Sequence, residues 1–271
     1  MSFENYRSMC HKCLRPTKAC FCESIVPFAT WFEFRILMHP KEAKHSHIGT
    51  GRMANLAISN CQIIVGENFD KNEQVQSLIK DAMYFPMMLY PGERAINISK
   101  QTFLKDYFQN KKPLVFILDG TWPCAKSMMR DSTTLHGLPR LSFDANIESK
   151  FSIRHQPAKF CLSTIESIYQ VLFNLERQGL ENLGEKKEVL LTCLHKLVDF
   201  QKKCAEDPNL KTVYRRGHSY KDPSSRIASK KWQDRKICFE DRNYPEIGIK
   251  FEEAMTERQS DKSFNTHSRS F

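Results

Sequence analysis

The sequence predicts an α/β fold, with a mainly parallel sheet flanked by helices and a small zinc knuckle at the N-terminus. From residue 31 to residue 143, short apolar runs of strand length alternate with stretches of helical periodicity, as in successive βαβ units. Residues 114–118 are continuously apolar, which is typical of a strand buried on both faces. Four cysteines fall within the first 22 residues. These observations favour one large domain with short appendages.

The elements follow one another along the chain. We expect strands at residues 34–38, 62–65, 87–90, 114–118 and 139–143. Helices are expected at residues 51–58, 72–83, 99–109 and 122–130, the second of them with an apolar face. Ser163 and Glu166 form a capping-box pattern that opens a longer helix, which Gly179 ends. A last helix is expected at residues 185–204, before Asp207-Pro208.

Composition favours a cytoplasmic protein. The chain has 271 residues, 41% of them hydrophobic and 19 of them Phe, which suffices for a substantial core. Its apolar runs are far shorter than the roughly 20 residues of a membrane span, and the polar start does not resemble a signal peptide. Ten cysteines without such a signal indicate a reducing compartment. We therefore expect no membrane contact.

Charge and composition divide the chain into four segments. Residues 1–30 contain the cysteine cluster, residues 31–205 the α/β domain, residues 206–258 a basic extension, and residues 259–271 a polar tail that we expect to be disordered. The net charge is +10, and within the extension the cations are concentrated between residues 211 and 236, where nine Lys and Arg residues face only two Asp residues and aromatic residues are interleaved with them. Such a segment suits phosphates and unpaired bases, although a solvated basic tail has the same composition.

The cysteine cluster has the spacing of a metal site. Cys10 and Cys13 form a CxxC pair, and Cys20 and Cys22 form a CxC pair. Four thiolates at this spacing bind structural Zn²⁺ tetrahedrally, with His11 as a possible substitute ligand and an iron–sulfur cluster as the main rival. We expect the knuckle to anchor the N-terminus, since so short a segment needs metal to fold. The alternative is contact with RNA through Lys12, Arg15 and Lys18.

Small and polar residues follow three of the predicted strands. Residues 39–44 and 49–52 follow the first, residues 90–93 follow the third, and residues 119–122 follow the fourth. The carboxyl ends of parallel strands share one edge of a sheet, where ligands bind, and helix N-termini there present backbone N–H groups. Phosphate loops, the GxGxxG dinucleotide motif and the GxSxG elbow are missing from the sequence. The sequence therefore predicts a ligand site of another kind at this edge.

Seven short motifs occur along the chain in an order that makes its resemblance to a known family specific. They are the CxxC and CxC pairs, His39-Pro40 with Glu42, Thr50-Gly51-Arg52, Leu89-Tyr90-Pro91-Gly92, Asp119-Gly120-Thr121-Trp122, Leu138-Pro139, and Leu162-Ser163-Thr164-Ile165-Glu166. Over about residues 10–198 the chain resembles the DTW-domain family, the tRNA-uridine aminocarboxypropyltransferases. It departs from the family's usual pattern at Gly49, where the family has Asn, so a contact made by that Asn is in doubt.

The resemblance implies a SPOUT-like fold with a knot in its C-terminal part. It also implies an enzyme that transfers the 3-amino-3-carboxypropyl group of S-adenosylmethionine to N3 of a uridine in tRNA. The catalytic residues would be Asp119, Thr121 and Trp122, with Asp119 as the base that accepts the N3 proton. The residues expected to bind the cofactor are Thr50, Gly51, Arg52, Leu89, Tyr90, Pro91, Gly92, Gly120, Ser163, Thr164 and Glu166.

Several of these residues have a structural alternative. Asp119 could instead orient Thr121 or accept hydrogen bonds from the start of the helix that follows it, and Trp122 could be a core residue instead of a stacking platform. Ser163 with Glu166 could simply cap a helix, and Arg52 could form a surface salt bridge. His39 is better explained as a satisfied strand-end histidine than as a base.

The predicted RNA contacts lie on two parts of the chain. Four lie near the proposed active edge, namely Lys41, Lys44, Lys126 and Arg130. Six lie in the basic extension, namely Arg215, Arg216, Lys221, Lys230, Lys231 and Trp232. The rival functions are a SPOUT-type RNA methyltransferase, a modifier of ribosomal RNA, and a zinc-containing RNA-binding protein without activity. The sequence leaves open which uridine is modified and whether the protein is a monomer or a homodimer.

Overall fold

The structure, a computed structural model, describes residues 8–45, 49–92, 94–103, 105–144, 148–153 and 161–207. Six strands of this part of the chain form one sheet in the order β2-β1-β5-β3-β6-β4, and every paired strand is parallel to its neighbour. The strands are β1 (Glu33–Met38), β2 (Cys61–Val65), β3 (Tyr84–Leu89), β4 (Ile96–Asn97), β5 (Lys112–Asp119) and β6 (Arg140–Ser142). The predicted α/β class with a mainly parallel sheet is confirmed.

Helices cover both faces of the sheet. They are α1 (Pro40–His45), α2 (Thr50–Ala57), α3 (Glu73–Lys80), α4 (Trp122–Asp131), α5 (Thr164–Arg177) and α6 (Glu188–Glu206). One core cluster joins α2, α5 and α6 to one face, where Ile36 and Ile117 point. The other joins α3 and α4 to the opposite face, where Leu37 and Phe116 point. Alternate residues of β1 and β5 are thus buried on opposite sides.

The predicted helix at residues 99–109 is wrong. Of the residues described there, only Lys105–Phe108 are helical, as one 3-10 turn. The Gln178 side chain satisfies the backbone of this segment instead, since it donates to the carbonyls of Ile98 and Gln101 and accepts from the N–H of Phe103. Phe103 and Phe108 are buried in an aromatic cluster. Tertiary contacts therefore replace the helical hydrogen bonds.

The boundary between α3 and β3 also differs from the prediction. The helix ends at Lys80, not at residue 83, because Asp81 starts a turn in which its side chain and carbonyl accept from the N–H groups of Met83 and Tyr84. The strand begins at Tyr84 and includes Pro86. Proline is tolerated there because β6 pairs with β3 only at Met88 and Leu89.

The sequence does not predict two of the elements. Helix α1 begins at Pro40, a residue suited to the first helical position, and β4 is only two residues long. Helix α6 begins at Glu188, after a 3-10 turn at Gly184–Lys187 that the predicted helix includes in part. No helix among the described residues is long and apolar enough to span a membrane. The knot remains a prediction.

The order of the strands creates a crevice between β1 and β5. From β1 the chain continues through α1 and α2 to β2 on one side, whereas from β5 it continues through α4 to β6 on the other. Ligands in open α/β sheets bind where neighbouring connections diverge in this way, outside the carboxyl ends of the strands. Met38 and Asp119 are register partners at that point.

Candidate active site and metal centre

Asp119 joins three elements at the head of the crevice. It is the last residue of β5 and is 6% exposed. Its Oδ1 accepts a hydrogen bond of 2.5 Å from Oγ1 of Thr164, the first residue of α5. On the α2 side, a Cβ added to Gly51 would lie 2.7 Å from Asp119 Oδ2. The carboxylate therefore lies against the first turns of two helices, where the helix dipoles favour negative charge.

The glycine after Asp119 makes a second close approach. A Cβ added to Gly120 would lie 3.3 Å from the Cβ of Cys124 and 3.4 Å from that of His39. Thr121 then caps α4, since its Oγ1 accepts from the N–H of Cys124 at 3.4 Å. Asp119 is directed away from this cap, toward α2 and α5. The Asp119 side chain is thus hydrogen-bonded to α5, which is neither of the two structural roles expected from the sequence, orientation of Thr121 or capping of the helix that follows.

Trp122 is the first residue of α4 and lies half-buried at the active edge. It belongs to neither core cluster of the described residues, so its predicted role as a stacking platform is compatible with its position. Thr121 beside it is exposed.

His39 and Asp119 lie on opposite faces of the sheet. Its backbone N–H donates to the Asp119 carbonyl, and its buried ring accepts at Nδ1 from the N–H of Lys41, which caps α1. Its Nε2 is 3.3 Å from Oε1 of Glu67, a residue directly after β2. The expectation of a satisfied strand-end histidine fits these contacts. The sequence offers no signal for Glu67 beyond its position after a strand.

The turn after β3 lies one strand away from Asp119. The register that pairs Met88 with Phe116 places Tyr90 and Pro91 level with the end of β5. The Tyr90 N–H donates to the Leu141 carbonyl, and the Arg140 guanidinium lies 5.6 Å from the centre of the Tyr90 ring. Leu89, Pro91 and Gly92 are half-buried here. Arg140, which sequence reasoning missed, adds a cation to this edge.

Ser163 and Glu166 form the predicted capping box at the start of α5. Glu166 is fully buried, and its carboxylate accepts from the N–H and hydroxyl of Ser163, the hydroxyl of Ser149 and the N–H of Lys150. These bonds hold residues 149–150 against α5. The structural alternative for this pair is thus realised, and a direct cofactor contact by either residue stays a prediction.

The first turn of α2 contains the remaining predicted cofactor residues. Thr50 and Gly51 are buried, whereas Arg52 is half-buried. The Arg52 Nη2 donates to the Ala43 carbonyl at 2.7 Å and so ties α2 to α1. Of the predicted set, Thr164 is hydrogen-bonded to Asp119 and Gly51 lies so close to Asp119 that a side chain there would collide with it, while Thr50, Arg52 and Gly120 flank these residues along the chain.

The four cysteines converge as predicted. Their sulfur atoms all lie within 4.8 Å of one another, and the Cys10–Cys22 and Cys13–Cys20 sulfur pairs are each separated by 3.8 Å. Sulfurs bound about 2.3 Å from one tetrahedral Zn²⁺ would lie about 3.8 Å apart. Backbone N–H groups of Cys13 and Lys12 lower the pKa of Cys10 to about 6, whereas burial raises the pKa of Cys13 and Cys22, so the support for a metal comes from the arrangement of the four sulfur atoms. The donor set therefore fits Zn²⁺.

The chain is similar to known proteins over most of its length. The DTW domain matches residues 7–202 of the chain. The chain belongs to the DTW-domain family. A relative from Drosophila melanogaster named tRNA-uridine aminocarboxypropyltransferase 2 is 32% identical over 203 residues, which cover 73% of this chain and 76% of the relative. A protein of the same name from Mus musculus is 26% identical over 72% of this chain and 64% of its own length.

A plant protein extends the range of relatives of this DTW chain. The Arabidopsis thaliana protein named tRNA-uridine aminocarboxypropyltransferase A is 27% identical over 73% of this chain and 82% of its own length. No solved structure matched the chain.

The predicted RNA contacts of the chain fall into three groups. Lys41 and Lys44 are exposed on α1, and Lys126 is exposed on α4. Arg130 is exposed but forms an ion pair with Asp131, with Nε 2.8 Å from Oδ1, so its charge is partly matched. The predicted contacts outside the described residues are Arg215, Arg216, Lys221, Lys230, Lys231 and Trp232.

Proposed function

We propose that this DTW chain is a tRNA-uridine aminocarboxypropyltransferase that uses S-adenosylmethionine as donor and modifies N3 of uridine. The observation that carries the proposal is the contact of Asp119, Gly51 and Thr164 at the β1–β5 crevice. Three family motifs that are far apart in sequence meet there, at the sheet edge where α/β proteins bind ligands. The names of the relatives indicate the substrate class.

The residues of this edge fit the donor by charge. The amino acid end of S-adenosylmethionine carries a carboxylate group, and the edge offers the N-termini of α2 and α5 to bind it. The turn at Tyr90 to Gly92 provides a half-buried surface for the adenine. When bound, the donor supplies an electrophilic carbon next to its sulfonium, and methylthioadenosine is the leaving group.

The protein must move one proton and orient the reacting groups. The N3 proton of uridine has to leave as N3 attacks, and Asp119 is the proposed acceptor because it lies in the crevice and is fixed by Thr164. Trp122 is proposed to stack on a base beside the target. Burial of the carboxylate at 6% exposure limits competing contact with water. Orientation also selects transfer of the aminocarboxypropyl group over transfer of the methyl group.

The metal centre is proposed to hold Zn²⁺ in a structural role. Its residues are Cys10, Cys13, Cys20 and Cys22, which leave no ligand position for substrate if all four bind. Cys13 and Phe21 belong to the main core cluster, so the knuckle is packed as part of the domain. We also propose a cytoplasmic location and a SPOUT-like knot.

A label experiment tests the reaction. Undermodified tRNA is incubated with the full chain and with S-adenosylmethionine labelled either in the methyl carbon or in the aminobutyrate carbons. We expect only the aminobutyrate label to enter tRNA, with mass spectrometry locating it on uridine. Methyl label in the tRNA would establish the rival methyltransferase. Absence of both labels, with tRNA binding retained, would favour an RNA-binding protein without activity.

A further inference from the structure

Arg15 is a buried cation inside the metal knuckle. Arg15 is only 3% exposed, whereas the neighbouring cations Lys12 and Lys18 are exposed. Because Arg15 is buried, the alternative that its side chain contacts RNA is wrong. A charged group is rarely buried unless something compensates its loss of hydration. The position therefore demands a partner for the guanidinium.

Two aromatic rings from different elements flank the guanidinium. Its Cζ lies 5.1 Å from the ring centre of Phe21, inside the knuckle, and 5.5 Å from that of Phe200, on α6. Both distances are within the range of cation–π contact. Arg15 is thus in contact with the last part of α6, seven residues before the described chain ends at Asp207.

Arg15 is built into the cysteine cluster. It lies two residues after Cys13, its carbonyl accepts from the Cys10 N–H at 2.7 Å, and its ring partner Phe21 stands between Cys20 and Cys22 in the sequence. The buried Nη2 makes no hydrogen bond to any described residue. Four thiolates around a divalent ion carry a net charge of −2, and groups outside the ligand shell tune such a centre. The guanidinium lies where it offsets part of that charge.

We propose that Arg15 is a positioning residue for the metal centre, which stabilises the tetrathiolate–metal cluster by its charge and fastens the cluster to α6 through Phe21 and Phe200. The proposal requires a metal on the four cysteines and does not depend on the transfer reaction. Removal of the metal would then loosen the end of α6, from which the basic extension continues.

The first test measures metal affinity. The full chain, Arg15→Met and the control Lys12→Met are loaded with Zn²⁺ and titrated with a chromogenic chelator under reducing conditions. We expect Arg15→Met to bind Zn²⁺ about 10–100-fold more weakly, the usual cost of losing a group that supports metal ligands, and Lys12→Met to match the wild type. Equal affinity of Arg15→Met and wild type would overturn the proposal, as would a wild type that binds no metal.

The second test remains informative if Arg15→Met does not fold. Phe200→Leu keeps the cation and an apolar side chain but removes the ring on α6. With Zn²⁺ bound, we expect amide hydrogen exchange at residues 196–206 to accelerate at least tenfold, while Zn²⁺ affinity changes less than threefold. Removal of Zn²⁺ from the wild type should accelerate exchange in the same residues. Unchanged exchange in both cases would exclude the link to α6.

Discussion

At the scale of single residues, the decisive contact is the hydrogen bond between Asp119 and Thr164. A carboxylate at 6% exposure that accepts a 2.5 Å bond is fixed in orientation. It could serve as the base or as the anchor of α5, because both roles use the same atoms. The two roles can be distinguished by one substitution that removes the basicity of residue 119 and another that removes its hydrogen bond to Thr164.

Asp119→Asn removes basicity but keeps an oxygen that accepts from Thr164. We expect turnover to fall by about 10²–10⁴-fold, the range attributed to a general base, while KM for S-adenosylmethionine stays within threefold. Thr164→Val keeps the carboxylate and removes the bond, so we expect a fall of only about tenfold. Steady-state kinetics with undermodified tRNA measures both.

The same pair of variants could instead establish the anchor role. In that case both substitutions would raise KM and lower the melting temperature to similar extents. Wild-type turnover by Asp119→Asn would show that another group accepts the proton, and the exposed Glu67, 3.3 Å from His39 Nε2, would be a candidate to test next.

At the scale of elements, the site depends on how closely α2 approaches β5. Gly51 permits this approach, since any side chain there would meet Asp119 and Ile36. Sequence patterns predicted both elements correctly and placed them at one edge, because apolar periodicity reports which residues are buried. They did not predict the distance between them. Periodicity also failed at residues 99–109, where Gln178, far along the chain, determines the backbone conformation.

Gly51→Ala tests that close approach. The added methyl group would lie 2.7 Å from Asp119 Oδ2 and 3.2 Å from Ile36 Cγ2, so either α2 or the Asp119 side chain must shift. We expect the free energy of unfolding to fall by about 1–3 kcal/mol, as for overpacked sites, and transfer activity to fall at least tenfold. The control is Gly137→Ala, where nothing lies within 4 Å of the added atom. Urea denaturation that shows equal stability for both variants would contradict this account of the junction.

At the scale of the whole molecule, the sequence predicted more of the site than of its surroundings. Asp119 and Gly51 could be assigned to one edge because parallel strands align their carboxyl ends, whereas Thr164 came to the site through the family resemblance. The burial of Arg15 could not be predicted, since its partner Phe200 is 185 residues away in sequence. The same holds for Arg140 on Tyr90, which depends on the pairing of β3 with β6. Contacts between distant elements thus remain beyond local patterns.

Charge distribution over the molecule leads to a prediction about tRNA binding. The net charge is +10, and the excess of cations lies between residues 211 and 236. If these cations bind phosphates, Arg215→Ala combined with Arg216→Ala should weaken tRNA binding. The slope of log K against log salt should then become shallower by roughly 0.7–0.9 for each phosphate that is no longer neutralised. Fluorescence anisotropy at salt concentrations from about 50 to 200 mM measures that slope.

The matched control removes two exposed cations from other parts of the surface, Lys80 at the end of α3 and Lys186 in the turn before α6. Lys80→Ala with Lys186→Ala changes the net charge by the same amount, so a general weakening of attraction would affect both double variants equally. We expect the control to keep nearly the wild-type slope, because counterion release requires contact with phosphate and not charge alone. Equal slopes in the two double variants would show that the extension at residues 206–258 is a solvated basic segment and not a tRNA-binding surface.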